Sequence, residues 1–400
     1  MNLEFPLCRE PRYERAVRAA LAECVRVLTE RRPASRLVAV ILTGSFARGE
    51  GSILPLGGEL KILGDLEFFV ALEGRLDAGV RRLMAACGRE ASDRLAAGGL
   101  RAEVEFGPVS VEFFRRRARP SIFVFDLRHH GKVLWGRPDL LGLIPPFEAS
   151  AIPGEDALHL TFNRIVEQLA TWDRLDTLAG ETLMDAAYQR LKLTLDLAGS
   201  ALAFAGRHTA LYRQRSMAFA RLLIETPSLQ ARLPPEFADE LAEAGQAKLD
   251  PGSHLPLIDA TPEELARRMI AGRRATTVIL RWELEQLLGT TGTLRDLVSR
   301  YARTRTLGHC VWDWAKLILH PLPPPLPISH LRAARLFWSS TPRALLYAAG
   351  CRAYLALGDG DGRPVDLASF LPLSARARPA DATTLRRTIV ALWQWGVRNS

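Results

Sequence analysis

Along the first hundred residues the apolar positions change period several times, and each change predicts an element. From Pro11 to Arg32, Val17, Leu21, Val25 and Leu28 recur every three or four places among Arg and Glu. That spacing predicts one amphipathic helix, ended by Pro33. The run Leu37-Val38-Ala39-Val40-Ile41-Leu42 is continuously apolar and rich in β-branched residues, so it reads as a strand buried on both faces. Thr43-Gly44-Ser45 breaks it. After a glycine-rich stretch, Leu66 to Leu72 predicts a second strand. Asp77 to Ala97 predicts a helix with Val80, Leu83, Met84 and Cys87 on one side, closed by Gly98-Gly99. A third extended stretch is Glu103-Val104-Glu105-Phe106, continued in Val109 to Phe113 after a turn at Gly107-Pro108. The predicted order is α, β, α, β, α, β.

Beyond about residue 150 the strand signal stops and Leu, Ala and Arg recur at helical spacing. Met184, Tyr188, Leu191, Leu195, Ala198 and Leu202 share one face of a long helix, and Leu385, Ile389, Leu392 and Trp393 do so near the end. The chain therefore predicts an α+β protein: a mixed-sheet domain over residues 1–150 and an all-helical domain over 151–400. Pro234-Pro235 and Pro251-Gly252-Ser253 suggest a sub-boundary near 233–260. Pro321 to Pro327 reads as a stiff polyproline connector. Asp359-Gly360-Asp361-Gly362 looks like part of a calcium loop but lacks the remaining ligands, so it reads as a surface turn.

Composition changes this picture little. At 400 residues, with 48% apolar and 24% charged, the chain is of globular type and long enough for two domains. Its formal charge of +9 suits an anionic partner without naming one. Of the 53 basic residues only Lys61, Lys132, Lys192, Lys248 and Lys316 are lysines, which leaves 48 arginines. That excess reads mainly as compositional bias. Cys8, Cys24, Cys87, Cys310 and Cys351 are scattered and never paired as C-x-x-C, so neither a disulfide framework nor a zinc knuckle is expected. With no signal-peptide pattern and no apolar stretch of spanning length, the expected location is the cytoplasm.

The chemistry concentrates in Leu42-Thr43-Gly44-Ser45-Phe46-Ala47-Arg48-Gly49-Glu50, followed by Asp65-Leu66-Glu67-Phe68-Phe69-Val70. A strand ending in Gly-Ser and opening a short helix forms a phosphate cradle: glycine lets a phosphate approach the backbone, the helix start offers free N–H groups, and the Ser45 hydroxyl adds a donor. Arg48, one helical turn after Gly44, is a candidate cation for a triphosphate. Asp65 and Glu67, two apart on a strand, point to one face. Such paired carboxylates beside a phosphate site invite Mg²⁺. A third acid would complete a two-metal site. Glu105 is preferred because Val104 and Phe106 flank it as core neighbours; Glu112 and Glu103 are the alternatives.

These residues resemble the nucleotidyltransferase superfamily of the DNA polymerase beta type, over about residues 37 to 136. The nearest in look are the bacterial proteins that adenylylate antibiotics or other small hydroxyl compounds, and their stand-alone relatives. Leu127 to Gly136 is similar to the segment that closes the catalytic domain there. The resemblance implies Mg²⁺-dependent transfer of a nucleoside monophosphate, AMP from ATP or that of another nucleoside triphosphate, onto a hydroxyl. Asp65, Glu67 and Glu105 would hold two metal ions, and Gly44, Ser45 and Arg48 would hold the nucleotide. The acceptor is a small molecule or a protein side chain, the latter as in toxin–antitoxin nucleotidyltransferases. A catalytically silent nucleotide-binding or scaffold protein is the alternative. The sequence departs from the pattern in two ways. Asp65 follows Ser45 by 20 positions, so 51–64 is expected to bulge out as an inserted loop, and Gly64 stands where the family favours Ser or Asn.

Other candidates carry less. Arg115-Arg116-Arg117-Ala118-Arg119 reads as a solvated strand end or a basic rim, and Lys192 as a residue that could reach a nucleotide. His129-His130 and His309-Cys310 lack partners at metal spacing, and Trp312 and Trp314 read as core. Basic residues dispersed rather than interleaved with aromatics argue against nucleic acid. No Walker loop, Rossmann fingerprint or Gly-x-Ser-x-Gly occurs.

Overall fold

A computed structural model of the chain describes residues 10–31, 36–303, 313–314, 340–358 and 381–396. Pro33, the polyproline stretch 321–327, the Asp359–Gly362 segment, Cys8, His309-Cys310 and Trp312 lie outside the described residues.

The fold class is α+β. The elements run α1 (Pro11–Glu30), β1 (Leu37–Leu42), α2 (Gly44–Ala47), β2 (Ser52–Leu56), β3 (Glu59–Leu72), α3 (Ala78–Ala97), β4 (Leu100–Ser110), α4 (Ile122–His130) and β5 (Lys132–Gly136). After that the described elements are helical, with α5 (Gly154–Trp172), α6 (Glu181–Phe204), α7 (Tyr212–Glu225), α8 (Pro227–Gln230), α9 (Phe237–Leu249), α10 (Leu255–Ile258), α11 (Pro262–Leu288) and α12 (Leu294–Tyr301). Two more helices span Pro342–Leu355 and Ala382–Gly396. None of the described helices is long and apolar enough to cross a membrane.

The sheet centres on β3. Strands β2 and β1 pair antiparallel with its first and second halves, β5 pairs antiparallel with β1, and β4 runs parallel to β3. One sheet face carries Val40, Leu42, Leu66, Phe68, Val70, Val104 and Phe106, which pack against Val17, Leu21, Cys24 and Leu28 of α1 and Met84, Cys87 and Ala91 of α3. Each Val, Leu, Phe or Met among them contributes about 1.5–3 kcal/mol by leaving water. The opposite face begins apolar, with Ala39, Ile41, Ala71 and Val109 packed on Val124 and Leu127 of α4. Along β3 that face turns from Ala71 through Phe69 to Glu67 and Asp65, because side chains alternate along a strand.

Two expectations are corrected. Residues 51–64 do not bulge out as a loop; they fold as a hairpin in which Leu56 pairs with Glu59 across Gly57-Gly58. Both glycines have positive φ, 60° and 88°, as a two-residue type I′ turn requires. Ile53, Leu54, Ile62 and Leu63 are buried, so burial of apolar side chains makes the insert a lengthened sheet. Gly107-Pro108 is likewise no turn. It continues β4, with Gly107 opposite Phe69 and Pro108 opposite Val70. Pro108 has no N–H to give, which the edge position of β4 tolerates.

The chain divides into two compact units that do not follow its order. The first comprises Met1–Asp156, Leu202–Leu222 and Ala238–Asp259; the second comprises Ala157–Ala201, Leu223–Phe237 and Ala260–Ser400. Unit one thus adds two helical segments from the second half of the sequence to the sheet. In unit two, Phe162 stacks on Tyr347 at 5.0 Å between centroids, and Asn163 Oδ1 accepts from Tyr347 Oη at 2.7 Å and Trp393 Nε1 at 2.9 Å. The predicted α6 face is buried, including Tyr188, Leu195 and Leu202. Lys192 lies with its Nζ 5.4 Å from the Tyr188 ring centroid. Trp314 is buried and donates from Nε1 to Ser340 O at 2.8 Å.

Candidate active site

Strand β1 delivers the chain into α2 through Thr43, which is tied to β3: its N–H and Oγ1 both donate to Glu67 O, at 2.9 and 3.2 Å. Gly44 follows with φ +66°, a left-handed conformation that favours glycine. A second constraint acts at the same position. A β-carbon on Gly44 would fall inside van der Waals contact of Glu67 Oε2. The carboxylate of Glu67 therefore lies over the start of the turn, and only glycine leaves room for it. Ser45 is the next residue, half-buried in the first turn of α2.

Four carboxylates share this sheet face. In the parallel register of β3 and β4, Asp65 lies opposite Glu103 and Glu67 opposite Glu105. Residues two apart on a strand are roughly 6.7 Å apart, and adjacent strands roughly 4.8 Å. Asp65 and Glu67 are half-buried; Glu103 and Glu105 are exposed. Glu112 is elsewhere. It lies beyond β4, at the head of a turn of π-helix (Phe113–Arg117), and is paired with Arg115 at 3.9 Å and Arg116 at 3.5 Å. Among the described residues no three His, Cys, Asp or Glu side chains converge closely enough to hold an ion on their own. The acids form a shared face, which suits Mg²⁺ held by one or two carboxylates together with substrate phosphates.

The far end of the same turn is built differently. Arg48 is almost fully buried and donates from Nη1 to Asp126 Oδ2 at 3.0 Å. Asp126, on α4, also bonds His208 Nε2 through Oδ1 at 2.8 Å. Burial opposes the charge on Arg48, yet Tyr212, Asp126, Glu50 and Glu67 together hold its pKa above the ordinary arginine value. Burial likewise works to raise the Asp126 pKa, but the His208 hydrogen bond and the Arg48 charge outweigh it and hold the carboxyl below its usual range. Burial pushes the nearby His130 imidazole below its ordinary value. Arg48 is thus engaged by the protein's own acid, at the C-cap of α2.

Glu50 completes this end. Its side chain is 0% exposed. Oε2 accepts from the N–H of Tyr212 at 2.8 Å, and Oε1 accepts from the N–H of Arg213 at 3.2 Å and from Arg213 Nε at 3.0 Å. Its backbone O accepts from Lys248 Nζ at 2.9 Å; Lys248 also donates to Ser52 Oγ at 2.8 Å, and Ser52 Oγ donates to Lys248 O at 2.5 Å. Arg48, Lys248 and Arg215 surround the Tyr212 ring at 5.3, 5.2 and 4.3 Å from its centroid.

Gly44 and Ser45 open α2, and the β3–β4 register sets Asp65 and Glu67 beside Glu103 and Glu105. Asp126, His208, Tyr212, Arg213 and Lys248 are not among the residues that the sequence singles out for the site. These follow Glu50 by 76 to 198 positions, and no local pattern announces them. The one available signal is an acid, Glu50, beside glycines in a turn otherwise destined for burial. No family model matches the chain, and no curated protein matches it. Among solved structures, a spectinomycin adenyltransferase from Enterococcus faecialis, crystallised with ATP and spectinomycin, is similar at a TM-score of 0.34. The identity is 14% over 62% of this chain and 98% of that one.

Proposed function

We propose that this protein transfers a nucleoside monophosphate, AMP from ATP in the first instance, onto a hydroxyl group. The observation that carries this reading is the approach of Glu67 to Gly44, which sets a carboxylate against a strand–turn–helix of phosphate-binding type. In this reading the N–H groups of the turn and the Ser45 hydroxyl take the β- and γ-phosphates. Asp65 and Glu67 would hold Mg²⁺, with Glu105, opposite Glu67, joining for a second ion. Bound there, Mg²⁺ supplies neutralisation of the phosphate charge and acidifies the attacking hydroxyl. The acceptor oxygen forms a bond to the α-phosphorus as the bond to pyrophosphate breaks, and the hydroxyl proton passes to Glu105. Pyrophosphate leaves with the bonding electron pair. Arg48, committed to Asp126, acts by bracing the turn.

Labelled ATP with Mg²⁺ and a panel of hydroxyl acceptors tests this. Wild type releases pyrophosphate, and Asp65→Asn keeps ATP binding but loses release by about 100-fold or more, the scale of removing one electrostatic stabiliser. Binding without release by wild type favours a silent nucleotide-binding protein. Absence of binding overturns both readings.

A further inference from the structure

Every polar group of Glu50 is used, and each use leads to a different segment of unit one. The N–H donates to Ser45 O at 2.9 Å and closes the turn. The carboxylate takes the first two N–H groups of α7 and the Arg213 guanidinium. The carbonyl takes Lys248 of α9. Arg213 adds a contact from Nη2 to Arg48 O at 3.4 Å. Glu50 is thus one buried residue that bonds both helical segments of unit one, 202–222 and 238–259.

A carboxylate on the N–H groups that open a helix stabilises that helix, because those groups lack intrahelical partners and carry the positive end of its dipole. The same carboxylate is held in place by the bond from its own N–H to Ser45 O. We infer that Glu50 is a positioning residue that couples phosphate binding at Gly44-Ser45 to the docking of α7. Resting on the proposed function, this adds a direction to it. A ligand that orders the turn orders Glu50, and by reciprocity a docked α7 raises the affinity of the turn for phosphate.

The test is amide hydrogen exchange and ATP affinity in the full-length protein, with Mg²⁺–ATP as the probe. In wild type, ATP slows exchange of the Tyr212 and Arg213 amides by about tenfold, although the ligand lies at the other end of the turn. Glu50→Gln keeps the shape but lowers the acceptor charge, weakens ATP binding by about tenfold and removes the ATP-dependent protection. Arg213→Ala removes a half-exposed guanidinium and leaves the backbone amide. It covers the case in which Glu50→Gln fails to fold, and weakens binding by roughly threefold with partial loss of protection. Arg213→Lys, which keeps the charge, restores part of both. A merely structural role would lower the melting temperature without changing the ATP-dependent protection. ATP binding by wild type with no change at Tyr212 and Arg213, or unchanged affinity in both Glu50→Gln and Arg213→Ala, overturns the coupling and leaves the proposed function standing. Failure of wild type to bind ATP overturns both.

Discussion

Among the described residues two glutamates are completely shut off from solvent, one in each unit, and they are kept in opposite ways. Glu50, behind the turn of unit one, meets two backbone N–H groups and a guanidinium. Glu283, on α11 in unit two, meets a single hydroxyl: Ser200 Oγ lies 2.6 Å from its Oε1, while Oε2 is buried with no partner. Ser200 Oγ also lies 2.8 Å from Ala157 O. A hydroxyl has one proton to give. That one proton is divided between Ala157 O and Glu283 Oε1, so the carboxyl receives at most part of a single donor. Burial pushes the Glu283 carboxyl up to about 8, the Ser200 hydrogen bond opposing it. What separates the two sites is the supply of donors. A carboxylate can be buried where the fold brings cations and free N–H groups to it; elsewhere it keeps its proton.

The largest expected effect breaks this pair by sign. The folded protein holds the Glu283 proton up to about pH 8, while an unfolded chain releases it near the ordinary glutamate value of 4.5. The folded state therefore binds more protons across that window, and stability falls as pH rises through it, by up to about 1.4 kcal/mol per pH unit. Glu283→Gln supplies a neutral donor, so denaturation curves from pH 5 to 8.5 should lose this slope, and the variant should be the more stable protein at pH 8. Glu50→Gln should be the less stable protein at the same pH, by about 1–3 kcal/mol, since it weakens bonds to buried donors. If both substitutions shift stability in the same direction, donor supply is not what distinguishes the sites.

A smaller effect sharpens the comparison within unit one, where the near end of the turn carries a half-buried acid instead of a fully buried one. Gly44→Ala forces a β-carbon at φ +66° and against Glu67 Oε2. The backbone strain costs about 1–3 kcal/mol. Thermal denaturation should record that loss together with a fall in Mg²⁺–ATP affinity, because Glu67 must move off the turn. A normal melting temperature with normal affinity would mean that Glu67 is not fixed there.

The parts of the fold that were legible share a cause. β1, α3, the α6 face and the acid-bearing half of β3 each rest on local periodicity, and local periodicity decides burial where one element packs on one core. The expectation of a loop over 51–64 rests only on the spacing from Ser45 to Asp65, which says nothing of the pairing of Ser52 with Leu63, Ile53 with Ile62 and Leu54 with Lys61 that makes the insert a hairpin. Gly107-Pro108 reads as a turn because proline inside a strand removes a ladder donor; its place on the edge of the sheet lifts that objection. Asp65 and Glu67 were legible as a same-face pair. The partners of Arg48 and Glu50 were not, since Asp126, His208, Tyr212 and Lys248 arrive through tertiary packing over 76 residues or more.

The smallest expected effect concerns the acid that the sequence left open. The sequence favours Glu105 and keeps Glu103 and Glu112 as alternatives, and strand register divides the three. Glu105 stands opposite Glu67, and Glu103 opposite Asp65, both on the acidic face. Glu112 lies past the strand end in exposed pairs with Arg115 and Arg116, and such pairs contribute about 0–1 kcal/mol. Glu112→Gln should therefore change nucleotidyl transfer by less than about threefold, whereas Glu105→Gln should lower it by about 100-fold at unchanged ATP affinity. Glu103→Gln discriminates further: a loss as large as that of Glu105→Gln would move the proton acceptor to the Asp65 side of the face. A large loss in Glu112→Gln alone would mean that β4 is out of register with the chemistry, and the four-carboxylate face would then cease to define the site.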